Sequence, residues 1–218
     1  MLSLPSVEYT AGELAEASEI RRAILGSREV SCIRPERIAP WELLCYLSDA
    51  GDFAFHGTTD LNIAEFTPRK CQDANPFGAQ EAVFASSDGL WAMFYAVLDR
   101  PRQQFSMVNS CASFVDEDGS VSKPCYFFSI GAPSESEPFS PGAVYVLPLG
   151  TFSRDPIEQW RGHRVVVHHW ASLEPVRPLA ILPVAPEDFP FLDQIRRHDD
   201  EVLRKRIDAD PDGFPWVD

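Results

Sequence analysis

The stretch "FHGTTD", residues 55–60, sets an imidazole, a glycine and two threonine hydroxyls side by side. A neutral imidazole can both donate and accept a hydrogen bond, and a glycine lets the main chain come close to a flat ring. His56, Gly57 and Thr58 are therefore of the right types to line a ligand pocket, although a lone histidine on an apolar strand is ordinarily a satisfied structural one. A second group lies in "FASSDGLWAMFYA", residues 84–96, where Trp91 and Tyr95 are four apart and share one helical face. Periodicity alone favours reading Trp91, Phe94 and Tyr95 as the core stripe of a buried helix. A third, "HRVVVHHW", brings His163, His168 and His169 close in sequence. Adjacent strand residues point to opposite faces, and no carboxylate or cysteine stands nearby at ligand spacing, so no metal site is expected. One histidine of the 168–169 pair is expected at solvent and the other in a pocket. Cys32, Cys45, Cys71, Cys111 and Cys125 form an odd set without a C-x-x-C pair, which argues against a disulfide scaffold or a zinc ribbon. Cys45 reads as a small core residue, and Cys71 and Cys111 as ordinary thiols in preference to nucleophiles.

The elements that must position these groups follow from the pattern. "TAGELAEASEIRRAIL" has helical spacing and stops at Gly26; "APWELLCYLSDAG" is a second helix with Pro40 in its first turn and Gly51 at its end. "DFAFHGT" then alternates as a strand, and "TPRKCQDANPFGAQ" is a loop over the opening that His56 faces. Ala82–Ala85 is a short strand, with Ser86 or Ser87 as the N-cap of a helix that runs to about Asp99 and stops at Pro101. Strands follow across the acidic turn "DEDGS", then in "AVYVLPLGTF", "HRVVVHHWAS" and "PVRPLAILPV", with Pro148, Pro178 and Pro183 at edges or bends. "RRHDDEVLRKR" is a solvated helix face, and "DADPDGFPWVD" a loosely held end. Helices first and a strand-rich body after make an α+β pattern of one domain: a helical part over 1–52, a core over 53–185, and a C-terminal helix and tail over 186–218. No G-x-G-x-x-G is present to ask for a Rossmann sheet.

Composition narrows the partners. With 19 Lys and Arg against 33 Asp and Glu, the net charge of -14 repels phosphate backbones, so nucleic acid and anionic membrane are disfavoured. A protein or a small molecule suits the acidic surface better. The apolar run Leu90–Leu98 is about half of a membrane span, and the N-terminus lacks the n- and h-regions of a secretory signal; a cytoplasmic protein is expected.

His56-Gly57-Thr58 on a strand, followed by the strand and helix of "VFASSDGLWAMFYA", resembles the ADP-ribosyltransferase superfamily, in the branch of poly(ADP-ribose) polymerases and diphtheria-like toxins marked by His, Tyr and Glu. The likeness runs over residues 53–100, and more loosely over 142–185. It implies a split antiparallel β-sandwich with N-terminal helices and one helix after the second core strand. It also implies NAD as co-substrate, for mono-ADP-ribosyl transfer to a protein or small molecule. By this resemblance His56 orients the dinucleotide, Gly57 anchors the nicotinamide amide and Thr58 assists a ribose hydroxyl, with Ser86 in the same cofactor-binding set. Tyr95, with Phe94 as competitor and Ala92 as small neighbour, stacks on the nicotinamide. The late-strand glutamate of the family is matched here by His169; Glu174, five residues on, supplies a carboxylate only in another strand register, since a slip of one residue reverses the faces. Two other readings follow from the same likeness: an inactive binding module, and an RNA 2'-phosphotransferase relative, which needs an arginine cluster where Arg69, Arg100 and Arg102 are scattered.

Overall fold

The computed structural model describes residues 1–70, 76–100, 102–133 and 135–217. Along the chain come β1 (Leu2–Ser3), α1 (Ala11–Gly26), β2 (Ser31–Cys32), α2 (Pro40–Ala50), β3 (Phe53–Thr58), β4 (Arg69–Lys70), β5 (Glu81–Ser86) and α3 (Gly89–Ala96). The second half holds β6 (Met107–Val115), β7 (Cys125–Ile130), β8 (Gly142–Pro148), β9 (Phe152–Arg154), β10 (Glu158–Trp160), β11 (His163–Val167), β12 (His169–Ser172), β13 (Ala180–Val184), β14 (Arg196–Arg197) and α4 (Asp200–Ala209). The fold is α+β, with two mostly antiparallel sheets and, among the described residues, four α-helices. One sheet runs β1-β7-β6-β11-β10 with β14 also on β7; the other runs β2-β13-β8-β3-β5-β12-β9 with β4 on β5. The parallel pairings are β13 with β2 and β14 with β7.

Local chemistry explains the helix starts. Thr10 accepts from the Glu13 amide, and the Glu13 carboxylate takes the Thr10 amide at 2.7 Å, a closed capping box that begins α1. Pro40 opens α2, and Gly51 ends it in the left-handed region at φ 73°. The cap of α3 is Asp88, not Ser86 or Ser87: Ser86 stays in β5, and its hydroxyl accepts the Asp88 amide while the Asp88 carboxylate takes the Trp91 amide at 2.8 Å. The helix also ends at Ala96, three residues short of expectation, because Leu98 bridges to Phe139 and the Asp99 amide donates to Pro138. A tertiary strand pairing there overrides helix propensity.

The largest core draws Phe53, Phe55, Val144, Val146 and Leu182 from one sheet, Cys111, Tyr126 and Phe128 from the other, and side chains of α1, α2 and α3. Helix α3 is buried nearly all round. It lies on β3 and β8 through two glycines: a Cβ on Gly57 would sit 1.7 Å from the Ala92 carbonyl oxygen, and one on Gly142 2.0 Å from that of Ala96. A smaller core of Ala54, Phe66, Val83, Ala85 and Tyr145 fills the opposite face of this sheet.

Three sequence expectations give way to tertiary pairing. "HRVVVHHWAS" is not one strand: it changes sheets at His168, whose amide donates to Cys111 in β6 while its carbonyl accepts from Ser87. The charged run from Arg196 is only partly helical, since Arg196–Arg197 pairs with β7 and His198, with a side chain 4% exposed, sits between Ser106 and Ser129. Nor is the end loose: Phe214, Trp216 and Val217 pack with Val108, Phe127 and Leu203. Apolar side chains in an otherwise polar tail supply the reason, because they have a sheet face to cover.

Candidate functional site

β3 and β5 meet in a single ladder pair, Phe55 with Ser86, and then part. The His56 side chain spans the parting: Nδ1 lies 2.7 Å from the Phe84 carbonyl oxygen. A carbonyl only accepts, so Nδ1 carries the proton and Nε2 keeps its lone pair. Burial holds the His56 pKa below the ordinary histidine value, the Phe84 bond opposing and Arg100 and Arg69 adding to the depression. The imidazole is thus a neutral acceptor at its free nitrogen, with the Phe66 ring 4.7 Å away.

Alternation along β3 sets its residues on two faces. Gly57 meets α3, and His56 and Thr58 therefore face the other way, toward Phe66 and Tyr145. That face is roofed by residues 59–66: the Tyr145 hydroxyl donates to the Asp60 carbonyl at 2.9 Å and accepts the Ile63 amide, and Phe66 pairs with Val176. Thr58 accepts the Asp60 amide at 3.1 Å and so shapes this turn. Of the loop expected over the opening, residues 71–75, including Cys71, lie outside the described residues, while Arg69–Lys70 pairs with β5.

The α3 face holds an aromatic cluster. Trp91 Nε1 and the Tyr95 hydroxyl both donate to Asn109 Oδ1 of β6, at 2.6 and 2.8 Å. Phe94 is fully buried against Phe128 and Phe189 and is core, whereas Tyr95 is half-buried. His169 joins the group: its ring stands 5.0 Å from Phe84, 5.4 Å from Phe77 and 5.9 Å from Trp91, and its side chain is 18% exposed. Asp155 Oδ2 lies 3.9 Å from His169 Nδ1, with the Asp155 side chain 1% exposed.

Structure and expectation therefore part in four places. Tyr95 and His169 each stand beside Trp91, with ring centroids 6.4 and 5.9 Å from it, but His56 stands across the sheet, joined to the group through the backbone of Phe84. Ser86 has its hydroxyl committed to the His168 carbonyl and the Asp88 amide, a structural assignment. Glu174 is exposed on the turn after β12, where Ser172 bonds its backbone. Neither histidine of the pair is at solvent: His168 is held by Ser87 at Nδ1 and Ser113 at Nε2, both 2.9 Å. Burial lowers the His168 pKa and raises that of nearby Asp88, which accepts from Tyr126 at 2.8 Å. Among the described residues no three His, Cys, Asp or Glu side chains are placed to hold a metal ion. Cys111 is fully buried and its thiol is pushed well up by burial, which makes it no nucleophile.

Sequence reasoning missed Asn109, Phe84 and Asp155. Asp155 sits in "RDP", which reads as turn chemistry, and nothing local says that it folds under His169. Comparison with family models, with curated proteins and with solved structures returns no match to this chain.

Proposed function

We propose that the protein binds NAD on an ADP-ribosyltransferase-like split antiparallel β-sandwich, with the nicotinamide end in the cluster of Phe84, Trp91, Tyr95 and His169. The observation that carries this reading is the double engagement of Phe84, whose carbonyl holds His56 and whose ring packs on His169. The parting of β3 from β5 supports it, because backbone edges that do not pair with each other can meet a flat amide. His56 would present Nε2 to a ribose or adenosine hydroxyl, and Tyr95 its ring to the nicotinamide. Mono-ADP-ribosyl transfer to a protein or small molecule is the activity that this layout serves. A non-catalytic binding module is the second reading, favoured by an imidazole at the late-strand position and by Glu174 out on an exposed turn.

Calorimetric titration with NAD, run beside His56→Ala, tests the proposal. Loss of one acceptor bond to a buried hydroxyl is expected to weaken binding about tenfold or more. Absence of heat with the wild-type protein would sink it.

A further inference from the structure

Asn109 stands in β6 on the face turned to α3, the same face as buried Cys111 two residues on. Its side-chain oxygen takes two donors at once, Trp91 Nε1 at 2.6 Å and the Tyr95 hydroxyl at 2.8 Å. An indole N–H only donates, so the atom that meets α3 is Oδ1 and the amide is held in one orientation. Nδ2, with its two N–H groups, is thereby turned away from both donors. Asn109 is half-buried; among the described residues its Nδ2 makes no hydrogen bond and is not sealed from water. Trp91 and Tyr95, both in the cluster that the NAD reading gives to the nicotinamide, are the side chains that orient it. A planar donor of fixed direction beside an aromatic cluster suits an aromatic ring that carries a carbonyl.

We infer that Asn109 is the residue that recognises the carboxamide of the nicotinamide, its Nδ2–H donating to the carboxamide oxygen; this rests on the NAD reading. The contact adds a preference for 3-carbonyl pyridines that stacking alone does not supply, because every aromatic ring presents a π-face and only some carry an acceptor. A ring without the carbonyl covers the N–H groups and leaves them unbonded, which is the origin of the discrimination.

Three dinucleotides are titrated calorimetrically into the wild type and Asn109→Asp: NAD, its 3-acetylpyridine analogue, which keeps the carbonyl and has no amide N–H, and the analogue with plain pyridine. Asn109→Asp keeps an oxygen for Trp91 and Tyr95 and replaces the donor by an acceptor. The wild type is expected to bind the acetylpyridine dinucleotide about tenfold or more tighter than the pyridine one, and Asn109→Asp to hold the two within about twofold. An asparagine that only holds the rings would, when replaced, weaken both ligands alike, and a preference that survives in Asn109→Asp overturns the inference. Should Asn109→Asp fail to fold, the Asn109 side-chain amide of the wild type decides in nitrogen-15 NMR: a shift with the acetylpyridine dinucleotide that the pyridine one does not reproduce supports the contact, and equal shifts overturn it. Wild type that binds NAD without preferring the carbonyl overturns the inference and leaves the binding reading standing. Wild type that binds no NAD overturns both.

Discussion

At the scale of residues, Phe84 is the joint on which the candidate site turns. Its carbonyl fixes the His56 tautomer and its ring meets His169, so two histidines on opposite faces of one sheet are tied through a single position. Tyr95 tests which part of an aromatic matters. Its hydroxyl is given to Asn109, and the NAD reading assigns the ring to the nicotinamide. Tyr95→Ala is expected to weaken NAD binding by roughly 5- to 100-fold, the usual worth of one stacked aromatic, whereas Tyr95→Phe stays near wild type. Equal losses in calorimetry would show that the hydroxyl network, not the ring, carries the effect. Glu174→Gln tests the carboxylate that the sequence offers for the late strand. An exposed side chain on a turn has no reacting centre to serve, and nicotinamide release is expected to change less than about twofold; a large loss would return the chemistry to Glu174. His56-Gly57-Thr58 and Tyr95 were legible as chemistry-bearing types, because short motifs announce themselves. Asp155 was not, since a lone aspartate before a proline carries no mark of its distant partner.

At the scale of elements, the helix α3 is the part on which the site depends, and two glycines let it lie down. Gly57 was read for its nearness to a ligand, but its missing side chain is taken up by the backbone of Ala92 and Ala96. Gly57→Ala is therefore expected to destabilise the fold by about 3 kcal/mol or more, since backbone of a packed helix must retreat. Gly51→Ala, where nothing stands within 4 Å and only the left-handed turn is strained, should cost about 1 kcal/mol. Chemical denaturation of both variants checks the contrast, and a Gly57→Ala as mild as Gly51→Ala would show that α3 can shift. The periods of α1, α2, β3 and β5 were readable from apolar spacing and caps. The break at His168 was not, because a continuous β-rich run looks the same whether it stays in one sheet or crosses to another.

At the scale of the whole molecule, burial of titratable groups predicts a stability window. His56, His168 and His198 have pKa values lowered by burial. The unfolded chain takes up protons near 6.5 that the folded state refuses, so this stability is present above about 6.5 and is lost as pH falls from there through the folded values. Asp88, pushed up by burial, has the opposite sign and softens the acidic slope. On the alkaline side, burial raises Cys45, Cys111 and Tyr126, whose contribution is whole below the ordinary thiol value of 9.0 and is lost as pH rises past it. The thermal midpoint is expected to fall by several degrees between pH 7 and pH 5, and again above pH 9. A midpoint flat from pH 5 to pH 7 would mean that the three histidines are far better solvated than their surroundings suggest.

The sequence by itself determined the α+β class, the first two helices, with Pro40 opening and Gly51 closing the second, and the strand that carries His56. Each of these follows from periodicity and turn chemistry within a few residues. Only the tertiary structure decided which face His56 takes relative to α3, that Ser86 is spent on the backbone, and that His198 and the last aromatics are packed. It alone brought Asp155 under His169, over a separation in the chain across which local propensity has no reach: the register of β12 against β5 and β9 sets that contact, and pairing energy between distant strands sets the register.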